Sequence, residues 1–430
     1  MALALLPLAC ATPGERFATV DRALTAEGPE AALARAESLG GGSGDEGLDL
    51  LHKGMLLHLV GDHEASNERL EAAARRMDAL DPFSLTEGIG AVTVAETVRG
   101  FVGQPHERIA LHLIRAFNFM ATEQWDAARV EARQLDLRLN ALGAGRSGFY
   151  RDDAFARYVT GLIYEQLGET DDARIAYRKA FQAYRDQEET TGVAVPPPLQ
   201  HALLRLTADT AFADEHEALR AVFGTPAGVD AGTAGEHGRI VLILGNGLAP
   251  PLREASVNAQ DPRTGRLYRV AVPRYGDSRQ PLRGVRLSAG DGTAEGAVAQ
   301  DVDELARRSL DERMPGIMAR AAVRVAAKDE MARQARAEDP LLGVLVNLFT
   351  FASERADDRA WTSLPGQYLL AEIPVTTATD SVTVELRGRG GRVWRETLDD
   401  LTVEPGTTRF VFAHALSERV PFHRLDSGSH

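Results

Sequence analysis

Apolar residues recur at three- and four-residue intervals from residue 15 to about 220, and Ala, Leu, Glu and Arg fill the positions between. That spacing gives each segment one apolar stripe and predicts a helical half. Gly40-Gly41-Gly42-Ser43-Gly44 breaks the pattern, and Pro196-Pro197-Pro198 stops it before one more helical stretch over 199–223. After a Gly-, Ala- and Thr-rich linker, 224–238, the period changes. Segments 239–244, 267–272 and 285–287 read as strands, and 301–335 returns to helix with Pro315 as a kink or break. The apolar run at 340–356 reads as a buried helix, too short to span a bilayer. Residues 381–386 alternate with period two, Gly388-Arg389-Gly390-Gly391 turns into 392–395, and 408–412 is a last strand. The expected fold class is α+β and multidomain. An all-α domain of tetratricopeptide-like repeats covers 15–223. Beyond the linker, an α+β domain over 239–420 has a mostly antiparallel sheet and a helical insert near 301–356.

The helical half carries a repeat. A tetratricopeptide unit is a helix pair of about 34 residues in which small residues stand where the two helices cross and large ones fill the space between pairs. From Ala154 onward, Gly161, Tyr164, Gly168, Ala173, Tyr177 and Ala180 fall on positions 8, 11, 15, 20, 24 and 27 of such a unit. In a unit starting near Gly47, Gly54, Leu57, Gly61, Leu70 and Ala73 take positions 8, 11, 15, 24 and 27 in the same register. Between them, Ala116, Phe119, Trp125, Ala128 and Ala132 mark a third unit. The eighth position falls at 54, 116 and 161, steps wider than one repeat, so extra residues lie between units, with a degenerate helical stretch near 85–102. Stacked helix pairs expose a concave face that binds peptides or protein segments. Here that face carries Leu113, Phe117 and Met120 in the middle unit and Phe155, Tyr158, Leu162, Glu165 and Gln166 in the last. The same spacings also serve packing against another helix or domain.

Composition narrows the function classes. The chain has 430 residues, enough for two or three domains, and a formal net charge of −14, which argues against nucleic-acid binding and against a broad basic patch on anionic lipid. The sole cysteine, Cys10, rules out an internal disulfide framework and a cysteine zinc site. It closes the apolar run Leu5-Leu6-Pro7-Leu8-Ala9, as the cleavage point of a bacterial lipoprotein signal does. Residues 1–10 then form a short signal segment without a basic residue, and Cys10 is the lipidation site. Ala11 after it matches the outer-membrane default.

Motifs for chemistry fail in their details. Gly245-Asn246-Gly247 follows a strand, but Pro250 and Pro251 stand where a dinucleotide loop needs glycine and a helix start. His63-Glu64 lacks the second histidine of a zinc helix, and Gly145-Arg146-Ser147-Gly148 lacks the second glycine of a nucleophile elbow. Glu215-His216-Glu217 reads as a solvated helix face, and the acids of 301–304 as a helix start. No catalytic residue, metal site or cofactor is expected from these patterns.

Three segments together carry a family resemblance: Ala127-Ala128-Arg129-Val130-Glu131-Ala132-Arg133, Leu244-Gly245-Asn246-Gly247-Leu248-Ala249-Pro250, and Ala356-Asp357-Asp358-Arg359-Ala360-Trp361-Thr362-Ser363-Leu364-Pro365. From about residue 45 to 415 the chain resembles a family of bacterial tetratricopeptide-repeat lipoproteins of the cell envelope, with a helical first half and a β-containing second half. The resemblance implies an envelope location and supplies no catalytic residues. Three functions stay open. The chain is expected first as a non-enzymatic, lipid-anchored scaffold on the periplasmic face of the outer membrane, gripping envelope proteins or peptide segments. The others are a subunit of a periplasmic ring or secretion complex, and a hydrolase or transferase acting on envelope polymer.

Overall fold

A computed structural model of the chain describes residues 12–39, 45–80, 100–145, 150, 152–224, 237–260, 267–338, 356–377, 379–399, 401, 403–419 and 422–425. Cys10, the Gly40–Gly44 run, most of the stretch near 85–102, the 145–148 motif beyond its first residue and the apolar segment 340–356 short of its last residue lie outside the described residues.

Ten helices make up the described part of the first half: α1 (Pro13–Ala26), α2 (Pro29–Ser38), α3 (Glu46–Leu59), α4 (His63–Leu80), α5 (Pro105–Ala121), α6 (Trp125–Gly145), α7 (Ala154–Gln166), α8 (Thr170–Thr191), α9 (Pro197–Leu206) and α10 (Ala213–Phe223). Local chemistry fixes their starts. Thr12 and Glu15 form a reciprocal capping box on α1, Glu107 answers Gln104 at α5, and Asp153 caps α7 through Ala156 N. The repeat positions do what the spacing predicts. A Cβ on Gly54 would stand 2.6 Å from Leu70 Cδ2, and one on Gly161 would stand 2.4 Å from the Tyr177 ring. Position 8 thus meets position 24 at both crossings, α3 on α4 and α7 on α8. Gly61 and Gly168, at position 15, take φ of 81° and 73° where the first helix of each pair ends. In the middle pair that place holds Glu123, the one non-glycine residue among those described with positive φ, at 57°.

The second half is a sandwich. Strands β1 (Gly238–Asn246), β2 (Leu252–Gln260), β3 (Leu267–Tyr275), β4 (Leu282–Ala289), β5 (Gly292–Glu295) and β6 (Ala297–Asp301) precede α11 (Val302–Glu338). Strands β7 (Gln367–Val375), β8 (Ser381–Gly388), β9 (Val393–Asp399), β10 (Thr408–Ala415) and β11 (His423–Arg424) follow it. They build a five-stranded sheet in the order β11-β10-β1-β7-β6, a four-stranded sheet β5-β4-β8-β9 and the hairpin β2-β3. All pairings are antiparallel except β1 with β10. The helix expected to kink or break at Pro315 does not break there: it is one 37-residue helix with the proline inside it. The β2-β3 hairpin lies along that helix, with Val272 of β3 packed on Ala321.

The two sheets and the helices form three layers. Val241 and Ile243 of β1, Tyr368 and Leu370 of β7 and Phe412 of β10 face the helices. Ile240, Leu242, Leu244, Leu369, Ala371, Ile373, Val411 and Ala413 face the second sheet, where Val382, Val384 and Leu386 of β8 meet them. The central strands are buried on both faces, so they read as continuous apolar runs. β8, with one face in solvent, alternates. The fold is therefore α+β, but one apolar core runs unbroken from the helices into the first sheet. Among the described residues no helix is long and apolar enough to cross a membrane.

Candidate functional site

The expected binding face is occupied by the chain's own sheet. Leu113, Phe117 and Met120 on α5 and Phe155, Tyr158 and Leu162 on α7 are all buried. Phe117 sits between Tyr368 and Phe412, at ring separations of 6.0 and 5.3 Å, and Phe155 stacks on Tyr368 at 4.9 Å. These six residues are core, not an open contact surface. The physical reason lies in the period: a helix whose inner stripe is this apolar needs cover, and β1, β7 and β10 supply it. Gln166 is exposed at the end of α7. Tyr158 packs on Tyr177 at 5.6 Å, and its hydroxyl has no partner among the described residues.

Glu165, the remaining position, holds a seam of charges. Arg205 of α9 and Arg239 of β1 each reach its carboxylate at 2.8 Å, and the Tyr177 hydroxyl donates to it at 2.7 Å. Burial alone would raise this carboxyl, but the two guanidinium groups overcome it and hold Glu165 at about 2. Glu372 of β7, beside them, meets His201 at 3.4 Å and is likewise held below the ordinary range against its burial, by His201, Arg239 and Arg205. The cluster ties α7 and α9 to β1 and β7.

A second polar seam follows the Ala356–Pro365 segment, which the sequence marked only through its family resemblance. Arg359 pairs with Asp357 at 2.7 Å and Asp45 at 3.5 Å and lies 6.0 Å from the Phe101 ring. The backbone N–H of Trp361 donates to Glu107 at 2.7 Å. The Thr362 hydroxyl donates to Asp21 of α1 at 3.0 Å, and Arg279 reaches the other Asp21 oxygen at 3.0 Å while holding the Ala249 carbonyl. Ser363 Oγ lies 3.0 Å from His52 Nδ1. Burial pushes Glu107 up to about 7 against the donors that face it, and raises Asp21 against Arg279 and Thr362. Burial also pulls His52 down to about 3. The Ser363–His52 pair has the composition of a nucleophile and base. Both are fully buried, however, and the ring is sandwiched on Phe17 at 3.9 Å, so the pair clamps α3 to this segment.

The spaces left in the seams are small. One void of about 10 Å³ lies among His58, Phe117, Tyr368, Phe412, His414 and Leu425. Another of about 20 Å³ lies beside Asp153, Tyr184, Gln300 and Asp301. Each has room for about one water. Asp153 there accepts from the Tyr150 hydroxyl at 2.7 Å and from Gln300 at 2.6 Å, and burial raises its pKa. Among the described residues, no three histidine, cysteine, aspartate or glutamate side chains gather as a metal-binding group. Asp21, His52, Glu107, His58, His63 and Asn118 were not singled out by the sequence as site residues. The available signal was a polar residue on the apolar stripe of a helix, which marks a buried group needing a partner.

No protein-family model matches the chain, and no curated protein matches it by sequence. Several solved structures resemble it weakly. MamA from residue 41 onward of Desulfovibrio magneticus RS-1 is 16% identical over 48% of this chain and 89% of that one, with a TM-score of 0.31. The Rap conjugation gene regulator of plasmid pLS20, in complex with the Phr* peptide, is 14% identical over 49% of this chain and 50% of that one, with a TM-score of 0.29. Residues 1–338 of Acl4, the assembly chaperone of RpL4, are 17% identical over 50% and 91%, with a TM-score of 0.23. These TM-scores are too low to carry an argument about fold or function.

Proposed function

We propose that this protein is a non-enzymatic interaction scaffold of the cell envelope, held to the periplasmic face of the outer membrane by lipid on Cys10. The observation that carries the scaffold reading is the three-layer seam. The helix pairs spend their inner stripe on the chain's own sheet, and their second helices face outward. Val130 and Leu137, two turns apart on α6, and Ile175 on α8 are exposed apolar side chains on that outer side. Lys179 of α8 pairs with Asp136 of α6 at 2.9 Å and holds the two helices side by side. A partner protein or peptide segment then docks on this outer face, not in the sealed groove. The apolar run before Cys10 and the family resemblance support the envelope address.

The test uses the full chain in a bacterial envelope. A photocrosslinker at Val130 or Leu137 should trap one discrete partner, and one at buried Phe117 should trap none. Acyl labelling should depend on Cys10 and vanish in Cys10→Ala. Diffuse crosslinking at every outer position would count against the scaffold, and an unmodified Cys10 in a soluble fraction would overturn the address.

A further inference from the structure

Gly245-Asn246-Gly247, which fails as a dinucleotide loop, closes β1, and its asparagine ties the two sheets together. The backbone N–H of Leu282, at the start of β4, donates to Asn246 Oδ1 at 3.0 Å. Asn246 Nδ2 donates in return to the Leu282 carbonyl at 3.1 Å, and to Gln367 Oε1 at 3.2 Å. An N–H only donates and a carbonyl only accepts, so the Leu282 backbone fixes which way the amide points. One side chain thus makes the pair of bonds that a neighbouring strand would make. Asn246 is fully buried. Gly247 beside it takes a φ of 68°, and a Cβ there would run into the Arg279 carbonyl. The fold therefore calls for both residues.

Asparagine followed by glycine is also the dipeptide most open to self-deamidation. Glycine has no side chain to shield its nitrogen or to stiffen the turn that ring closure needs. The chain has no other Asn-Gly. In the reaction the Gly247 nitrogen bonds to Asn246 Cγ, and its proton passes through solvent to the departing amine. The Cγ–Nδ2 bond breaks and ammonia leaves a five-membered succinimide. Water then opens that ring at either carbonyl, giving aspartate or isoaspartate, so an amide and water become an acid and ammonia. We propose that Asn246-Gly247 is a modification site gated by folding: the native state keeps the amide intact, and a chain that lingers unfolded is hydrolysed there and cannot regain the fold.

Geometry supplies the gate. The Gly247 N–H is committed to the Ala415 carbonyl at 2.8 Å. Ring closure has to break that bond and the three that hold the amide. β1 lies between β7 and β10 and is paired with both as far as Asn246, so its end does not fold back on itself while the sheet stands. The same contacts make the damage irreversible. Aspartate would set a buried carboxylate against the Leu282 carbonyl and Gln367 Oε1. The Gln367 amide nitrogen is already given to Asp301 at 2.7 Å, so it is not free to turn and donate. Isoaspartate routes the main chain through the former side chain. It adds a methylene between Gly245 and Gly247 and removes the group that Leu282 pairs with.

Mass spectrometry of the full, unaltered chain reads the gate. Samples are held at one pH and temperature, in buffer and in concentrated guanidinium chloride, then digested and mapped. The peptide carrying Asn246 should gain the mass of amide-to-acid exchange at least about a hundredfold faster in denaturant, because a buried site reacts only through the small fraction of chains that open. Diluted out of denaturant, briefly unfolded chains should recover the native circular dichroism spectrum. After long exposure, the refolded, protease-resistant fraction should carry intact Asn246, with aspartate and isoaspartate confined to the fraction that stays digestible. Asn246→Asp should lower the urea midpoint or fail to refold, and either result supports the proposal. Rates in buffer and denaturant within about tenfold of each other, modified chains equally abundant in the refolded fraction, or an unchanged midpoint in Asn246→Asp would each overturn it.

Discussion

Gly161 is the sharpest test of the repeat geometry. A methyl group placed there would stand 2.4 Å from Tyr177 Cδ1 and Cε1 and 2.9 Å from Cζ. The ring cannot step aside cheaply. It is fully buried, its hydroxyl donates to Glu165, and Tyr158 packs beside it. Alanine gains about 0.5–1 kcal/mol of helix propensity over glycine. Overpacking a filled core costs about 1–3 kcal/mol. The second effect wins, and Gly161→Ala should destabilise by about 1–2 kcal/mol. Gly316, on the exposed side of α11, is the control. The nearest atom a methyl would meet there is Arg320 Nη1 at 3.4 Å, the far end of a flexible side chain. Gly316→Ala should therefore stabilise by up to about 1 kcal/mol. Urea midpoints followed by far-ultraviolet circular dichroism measure both, and the same chemical change should move them in opposite directions. In a Tyr177→Ala background the cost of Gly161→Ala should disappear. Equal midpoints for the two single variants would refute the close crossing of α7 on α8.

Glu123 occupies the left-handed position that Gly61 and Gly168 hold in the other pairs, so Glu123→Gly should raise stability by about 0.5–1 kcal/mol; its 3.9 Å pair with Arg409 is too exposed to offset this, and a lowered urea midpoint would contradict the assignment of strain. Glu107 is raised from 4.5 to about 7 by burial, so the folded state favours its protonated form, and the stability it contributes is lost as pH rises from about 4.5 through about 7. The difference in urea midpoint between wild type and Glu107→Gln should widen across that window, and a constant difference would rule the effect out. Arg279→Met strips Asp21 of its cation inside the polar seam and should cost about 3–5 kcal/mol, with part recovered by adding Asp21→Asn; a thermal shift no larger than that of a surface arginine change would dismiss the pair.

The sequence spoke most clearly where one residue had one job. Gly54 and Gly161 stand where a Cβ would run into the partner helix and Gly61 and Gly168 where φ is positive, so glycine is favoured at each, their spacing was readable and the geometry matches it. The period-two strand β8 was equally visible, because one of its faces is wet. β7 went unseen because both faces are buried, and a run such as Tyr368-Leu369-Leu370-Ala371 has no period to read. At Pro315 the sequence left a kink or a break open, and packing of Leu310, Ile317 and Ala321 on both sides keeps the helix continuous. Phe117 of α5 and Phe155 of α7 lie against the sheet, and periodicity alone cannot distinguish a groove from a packing surface. The seam residues Asp21, His52, Glu107 and Asn118 find their partners far along the chain, and a single sequence carries no record of those pairings.

The parallel pairing of β1 with β10 has a consequence for biogenesis. The two strands lie side by side at the centre of the sheet, yet one opens the second half of the chain and the other nearly closes it. A ribosome or translocon delivers Phe117 and Phe155 long before it delivers Thr408–Ala415. Until β1 and β7 arrive the nascent helices carry a bare apolar inner wall, and Phe117 still lacks its contact with Phe412 until β10 follows. A chain halted short of Thr408 keeps part of that wall open, and such exposed apolar surface is what drives aggregation of incomplete chains.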